Sequence, residues 1–397
     1  MSLLGSEKTE LRPLPVGWRW VRLGEVCEII AGQSPPGETY RKRPEGLPFF
    51  QGKADFGTRH PVPSTWCLSP TKIAEPGDIL ISVRAPVGPT NVADVKCCIG
   101  RGLAAVRPGN MAEREFILAA LRLYEPHLAS LGSGSTFSAI KREDIESLEI
   151  PLPPIAEQQR IAAILGEQLA AVARARSATE AELEAAEALP ATYLRAVFNS
   201  PDAQRWPRTR LGEVICQRQE IVHPHDRPNG RATFVGLEHI EPATGHRMGS
   251  LDVEMSELTG RKPRFYKGNI VYGYLRPYLN KLWVAEFDGL CSVDQYVYVV
   301  DPKKADTFFI ASFMRSPVYL ERAPVGVTPG YLPRIRTEEV ASVEFNVPPL
   351  PEQRRITAKL SEQEASAERL RQTLTEQLDA VNTLPAALLR RAFSGEL

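Results

Sequence analysis

The sequence is short of several things that would each point to a particular chemistry. It has no excess charge of either sign: 48 Lys and Arg stand against 48 Asp and Glu in 397 residues. A protein that holds polyanions without regard to sequence needs a cationic surplus. The balance weighs against that class and leaves open a specific binder with its cations gathered on one face. No run approaches the roughly 20 consecutive apolar residues of a membrane-crossing helix. The opening MSLLGSEKTE lacks the basic start and apolar core of a secretory leader. The expectation is a cytoplasmic protein with no membrane contact. The six cysteines, Cys27, Cys67, Cys97, Cys98, Cys216 and Cys291, form no CxxC or CxxH pair, which points to reduced thiols.

Catalytic signatures are missing as well. There is no GxxxxGK[ST] phosphate loop, so nucleotide hydrolysis is not encoded. An adenine methyltransferase would show an Asn/Asp/Ser-Pro-Pro-aromatic motif; the nearest string, SPPG at 34–37, ends in glycine. Asp78, Asp94 and Lys96 could be arranged as a nuclease site, but acids in strands and turns are ordinary, and they read as structural. The HPH at 223–225, with His239 and His246 downstream, has no cysteine at ligand spacing. Neither a catalytic residue nor a metal site is expected.

What the sequence does contain is a repeat. PPIAEQQRI at 153–161 returns as PPLPEQRRI at 348–356, identical at six of nine positions, and LPATYLRAVFNS at 189–200 returns as LPAALLRRAFSG at 384–395. Both offsets are 195 residues, so the intervening segment has one length in both copies. Fainter echoes precede them. RLGEV at 22–26 matches 210–214, with Trp18 and Trp206 standing equally far upstream; PFFQG at 48–52 matches TFVGL at 233–237, and PGDIL at 76–80 matches KGNIV at 267–271. Four regions follow: globular 1–150, helical 151–200, globular 201–347 and helical 348–397.

The helical regions are rich in Ala, Glu, Gln and Leu. Heptad spacing places Leu165 and Val172 on one seam in the first copy, and Leu360, Leu374 and Val381 in the second, with Leu370 at the companion position. So narrow a seam implies a partner helix. Each helix should run about 30 residues, roughly 45 Å, with Pro190 and Pro385 breaking or kinking both at the same place. The globular regions place short β-rich runs first and helical stretches later, as in an α+β fold.

This arrangement resembles the specificity subunits of type I restriction–modification systems. The likeness rests on WRWVRLGEV at 18–26, GSGSTFSAI at 132–140, IPLPPIAEQQRI at 150–161, NVPPLPEQRRI at 346–356 and LLRRAFSGEL at 388–397. It implies two tandem α+β target-recognition domains, each reading part of a split double-stranded DNA site. Two long antiparallel coiled-coil helices would separate them in a pseudo-two-fold repeat. It further implies a non-catalytic chain that binds no cofactor, partnered by modification subunits that use S-adenosylmethionine to methylate adenine and by nuclease–translocase restriction subunits. VGVTPGYLPRI at 325–335 departs from the first loop, a divergence compatible with a different half-site.

Basic residues interleaved with aromatics are the candidate DNA contacts, since Arg can read guanine while Lys and Tyr hold phosphates. In the first half these are Arg41, Lys42, Arg43, Lys53, Arg59, Arg84 and Lys141. Ser133, Ser135 and Thr136 of the GSGSTFS loop add hydroxyl donors. The second half offers His239, Arg261, Lys262, Arg264, Lys267 and Tyr274, then Arg276, Tyr278, Lys281 and Arg334.

Overall fold

The structure, a computed structural model, describes residues 14–132, 139–226, 229–324 and 332–397. The chain divides into two compact units, Met1–Thr179 with Gln377–Leu397, and Glu180–Glu376. Two helices, α1 (Ile155–Phe198) and α2 (Leu350–Phe393), run 44 residues each and contribute to both units.

In the first unit a four-stranded antiparallel sheet has the order Cys27–Ala31, Leu103–Pro108, Ile79–Ser82, Thr90–Val92. All four residues of Ile79–Ser82 are buried because both faces are covered. Ile79 and Ile81 face the helices Arg114–Leu123 and Glu125–Leu131, while Leu80 faces a second, five-stranded sheet. The second unit repeats this layering. Ile215–Gln217, Gln295–Val300, Ile270–Gly273 and Leu282–Val284 form its four-stranded sheet, with Ile270 and Tyr272 toward the helices and Val271 toward the other sheet. A two-stranded ribbon closes each globule: Arg19–Arg22 with Glu149–Leu152, and Arg208–Arg210 with Glu344–Asn346.

The five-stranded sheets agree in four strands and differ in one. Trp66–Cys67, Leu47–Phe50, Cys97–Ile99 and Ile73–Ala74 correspond in order to Leu251–Glu254, Arg231–Val235, Gly289–Cys291 and Lys262–Phe265. The central two strands are parallel in both units. The fifth strand lies at opposite ends: Tyr40–Arg41 beside Trp66–Cys67, but Ile221–Val222 beside Lys262–Phe265.

Each unit's core is completed by the far end of the helix that starts in the other unit's sequence. Leu389, Ala392 and Phe393 of α2 join Ile161 and Leu165 of α1 in the first core, where the Phe393 ring lies 4.8 Å from that of Phe116. Leu194 and Phe198 of α1 join Ile356 and Leu360 of α2 in the second, where Phe198 lies 5.3 Å from both Phe309 and Phe313. Within each unit, therefore, the start of one helix lies beside the end of the other. Three expectations are corrected here. The helices are longer than 30 residues, about 66 Å at 1.5 Å per residue. Pro190 and Pro385 sit inside them without ending them, because the turns beyond are held by the packing of Leu194, Phe198, Leu389 and Phe393. Leu370 is 45% exposed and lies off the seam, where Leu360, Ala367 and Leu374 are buried and Val172 and Val381 half-buried.

The repeated PPxxEQ motif owes its identity to its glutamine. Gln158 is fully buried: Oε1 accepts from the Glu113 N–H at 2.8 Å, and Nε2 donates to the Pro153 and Met111 carbonyls at 2.8 and 3.0 Å. Gln353 makes the same clasp, accepting from the Asp306 N–H at 2.8 Å and donating to the Pro348 and Lys304 carbonyls at 2.8 and 3.3 Å. Glu113 and Asp306 in turn cap the next helix through the Phe116 and Phe309 N–H groups. The preceding glutamates only pair with exposed arginines one turn on, Glu157 with Arg160 and Glu352 with Arg355. Gln158→Ala strands three buried backbone groups and should lower the unfolding free energy by about 3 kcal/mol in denaturant titration. Glu157→Ala should leave the midpoint where it is.

Candidate nucleic-acid interface

The chain leaving the central strand of each four-stranded sheet forms a tip that is tied down by backbone bonds. In the first unit Val83 N–H donates to the Gly102 carbonyl and Ile140 N–H to the Val83 carbonyl, both at 3.0 Å, and Arg84 bridges Ala139. In the second, Tyr274 N–H donates to the Asp294 carbonyl and Ile335 N–H to the Tyr274 carbonyl, both at 3.1 Å, and Leu275 bridges Arg334. The same bridge thus carries an arginine on one side in the first unit, Arg84, and on the other side in the second, Arg334. Both are exposed, and neither has an ion-pair or side-chain hydrogen-bond partner among the described residues.

The second tip is the more elaborate. Arg276 holds a left-handed backbone (φ 49°), and its N–H donates to the Pro333 carbonyl at 2.8 Å. Asn280 is also left-handed (φ 45°); it is buried, with Nδ2 donating to the Met314 carbonyl at 3.0 Å. Strained non-glycine conformations of this kind persist only where surrounding bonds over-determine them, and they cluster at binding sites. The Tyr274 ring stacks on Tyr296 at 4.5 Å, and its hydroxyl donates to Asp294 Oδ1 at 3.5 Å. Burial first, and then the Asp294 carboxylate, pushes that phenol's pKa up and keeps it a neutral donor. Tyr278 is 61% exposed.

The remaining candidates fall into two groups. Arg43, Lys53, Arg84 and Lys141 in the first unit, and Arg261, Lys267, Arg276 and Arg334 in the second, are exposed with side chains that have no polar partner among the described residues. The others serve the fold. Arg41 bonds the Glu38 and Tyr40 carbonyls and pairs with Glu45, Lys42 bonds Thr65, and Arg59 pairs with Glu115 at 2.7 Å. Lys262 bonds the Thr259 carbonyl and lies over Phe234, Arg264 pairs with Glu220, and Lys281 bonds the Leu237 carbonyl at 2.6 Å. The Nδ1 of His239 accepts the Gly236 N–H at 2.9 Å, the role Asp55 has for Gln51 and Gly52 in the first unit. Ser133, Ser135 and Thr136 lie outside the described residues.

Sequence reasoning missed Arg101, exposed beside the Gly102 carbonyl that anchors the first tip. It also missed Arg315, which joins the Thr244 carbonyl to Glu364 of α2 at 2.8 Å and pins a loop to that helix. Its counterpart Arg122 meets Thr90 at 3.4 Å, and burial, then Arg59, lowers its pKa. Two cavities, of about 290 and 270 Å³, lie by the closing ribbons, one at the start of α1 lined by residues such as Pro153 and Met111, the other at the end of α1 lined by residues such as Phe198, Phe345 and Asn346. Among the described residues no three His, Cys, Asp or Glu side chains converge as a metal site would need, and no helix is long and apolar enough to cross a membrane.

Comparison with known proteins gives this geometry its context. The family model for the type I restriction modification DNA specificity domain matches residues 15–185. The chain is 45% identical over 159 residues to the putative type I restriction enzyme MjaX specificity subunit of Methanocaldococcus jannaschii, covering 39% of this chain and 37% of that one. It is 26% identical to the EcoDI specificity subunit of Escherichia coli across 97% of this chain and 89% of that one. The crystal structure of the HsdS subunit from Thermoanaerobacter tengcongensis is 56% identical over 42% of each chain, with a TM-score of 0.38. The chain is thus similar, through residues 15–185 by the family model and along 97% of its length by the EcoDI relative, to the specificity subunits of type I restriction enzymes.

Proposed function

We propose that each unit reads one part of a bipartite double-stranded DNA target through its tip, and that α1 and α2 pair antiparallel to set the spacing between the two parts. The helices also dock the modification subunits, which supply S-adenosylmethionine and the methyl transfer to adenine; restriction subunits join the same assembly. One observation carries this reading. Two units with the same layers and the same glutamine clasp present an exposed arginine, without a side-chain partner among the described residues, at the same bridge, yet on opposite sides of it. A shared frame with exchanged reading groups is what two different half-sites require.

Arg84, Arg276 and Arg334 have no side-chain partner among the described residues, so replacing each with Ala should leave the unfolding midpoint unchanged. If an arginine contacts a guanine edge, affinity for the target should fall by about tenfold or more, and specificity at one base pair should relax. If it contacts phosphate, affinity should fall evenly across sequences, with a shallower salt dependence. Unchanged affinity and specificity in all three variants would remove the tips from the interface.

Exchanging residues 206–347 for the matching region of a relative should change one half of the methylated motif in a host expressing the modification subunit. A change in both halves contradicts independent reading. Inserting one heptad into each helix, after Thr179 and after Glu376, adds about 10 Å of rise. The unread spacer should lengthen by about three base pairs at 3.4 Å each. An active assembly with its spacer unchanged would show that the helices do not set the distance.

A further inference from the structure

Three large apolar side chains stand exposed on the second tip: Tyr278 at 61%, Leu332 at 49% and Val293 at 39%. Single exposed apolar residues are ordinary on soluble proteins. Two of these, Leu332 and Val293, adjoin one set of backbone bonds. Leu332 precedes Pro333, whose carbonyl accepts the Arg276 N–H, and Val293 precedes Asp294, whose carbonyl accepts the Tyr274 N–H. Interleaved with them are the guanidinium groups of Arg276 and Arg334, which have no carboxylate partner among the described residues. Pro333 fixes the backbone between Leu332 and Arg334, so the apolar and cationic groups are held at a set separation.

We propose that Leu332 and Val293 read thymine methyl groups in the major groove of the half-site bound by this unit, making them specificity-determining residues beside Arg276 and Arg334. The inference rests on the DNA-reading function above and names part of what is read. Aliphatic side chains cannot hydrogen-bond, so phosphate offers them nothing, and the C–H surface of deoxyribose is the same at every base pair and carries no sequence to read. The apolar feature that a duplex exposes beside its base-edge acceptors is the C5 methyl of thymine, while arginine matches the N7 and O6 of guanine. A tip that alternates the two side-chain types fits a half-site containing both bases. The first unit differs at the corresponding positions, with Val83 for Tyr274 and a buried Val87 for Tyr278, so it reads a different pattern.

The test uses the full chain assembled with its modification subunits, on duplexes carrying the motif found by methylome sequencing. Replacing every thymine of the second half-site with deoxyuridine removes only the methyl groups. Affinity should fall by about fourfold for each methyl that is read. The same replacement in the flanking DNA should have no effect. Leu332→Ala and Val293→Ala, at exposed positions, should keep the melting temperature and bind the thymine duplex more weakly. The double variant should bind thymine and deoxyuridine duplexes equally. Equal binding of both duplexes by the unaltered chain overturns the inference, as does a second half-site without an A·T pair or a double variant that still discriminates fully. If the assembly binds a scrambled second half-site as well as the target, the DNA-reading function itself fails. Target selectivity with no deoxyuridine effect removes only this inference.

Discussion

The side-chain amide of a buried glutamine holds each half of this protein together. Gln158 and Gln353 each satisfy one backbone donor and two backbone acceptors where a globule hands over to a long helix. A primary amide is the neutral side-chain group that supplies a carbonyl acceptor and two N–H donors at once. Glutamate would bring a charge into a site with only one N–H to meet it, and leucine would leave three buried groups unpaired. The clasp sets where the helix begins, how the capped helix at Glu113 or Asp306 lies on it, and so where the sheet behind that helix stands. The tip grows from that sheet.

Two kinds of constraint are therefore visible along the chain. Where the backbone depends on a side chain's exact chemistry, the two halves are alike: the glutamine, the phenylalanines Phe198 and Phe393 that close the cores, and the tryptophans Trp18 and Trp206 edge-on to Phe116 and Phe309. Where side chains only coat a scaffold, the halves diverge. A turn residue can even change its charge and keep its work. Asp78 takes the Glu75 N–H and a bidentate Arg107, while Asn269 takes the Tyr266 N–H and Arg218.

This division decides what the sequence discloses. The repeat, the equal helix lengths and the order of globules and helices were legible because they rest on identity-bearing positions such as the glutamine and the terminal phenylalanines. The β-sheets were legible as a class and not strand by strand, since many strands have only two to four residues and both faces of the central one are buried. That removes the alternation by which a strand is ordinarily seen. Leu370 misled because only one heptad column is buried in mid-helix, and there Ala367 fills it. The candidate cations were separable only in three dimensions. Arg59, Arg264 and Lys281 look no different in sequence from Arg84 or Arg334; their partners Glu115, Glu220 and Leu237 are brought to them by topology.

The closing of each core by the far end of the other helix has a consequence for biosynthesis. The second unit has all of its segments once residue 376 has been made, although its sequence begins later. The first unit, whose globule leaves the ribosome before the second, lacks Leu389, Ala392 and Phe393 until every segment of the second unit has been made. Its Phe116 must wait, uncovered on one side, for about two hundred and seventy further residues to be added, so that the half synthesised first is the half completed last. A chain that terminates early leaves an apolar face open on the first globule, which is the kind of surface that chaperones and proteases recognise.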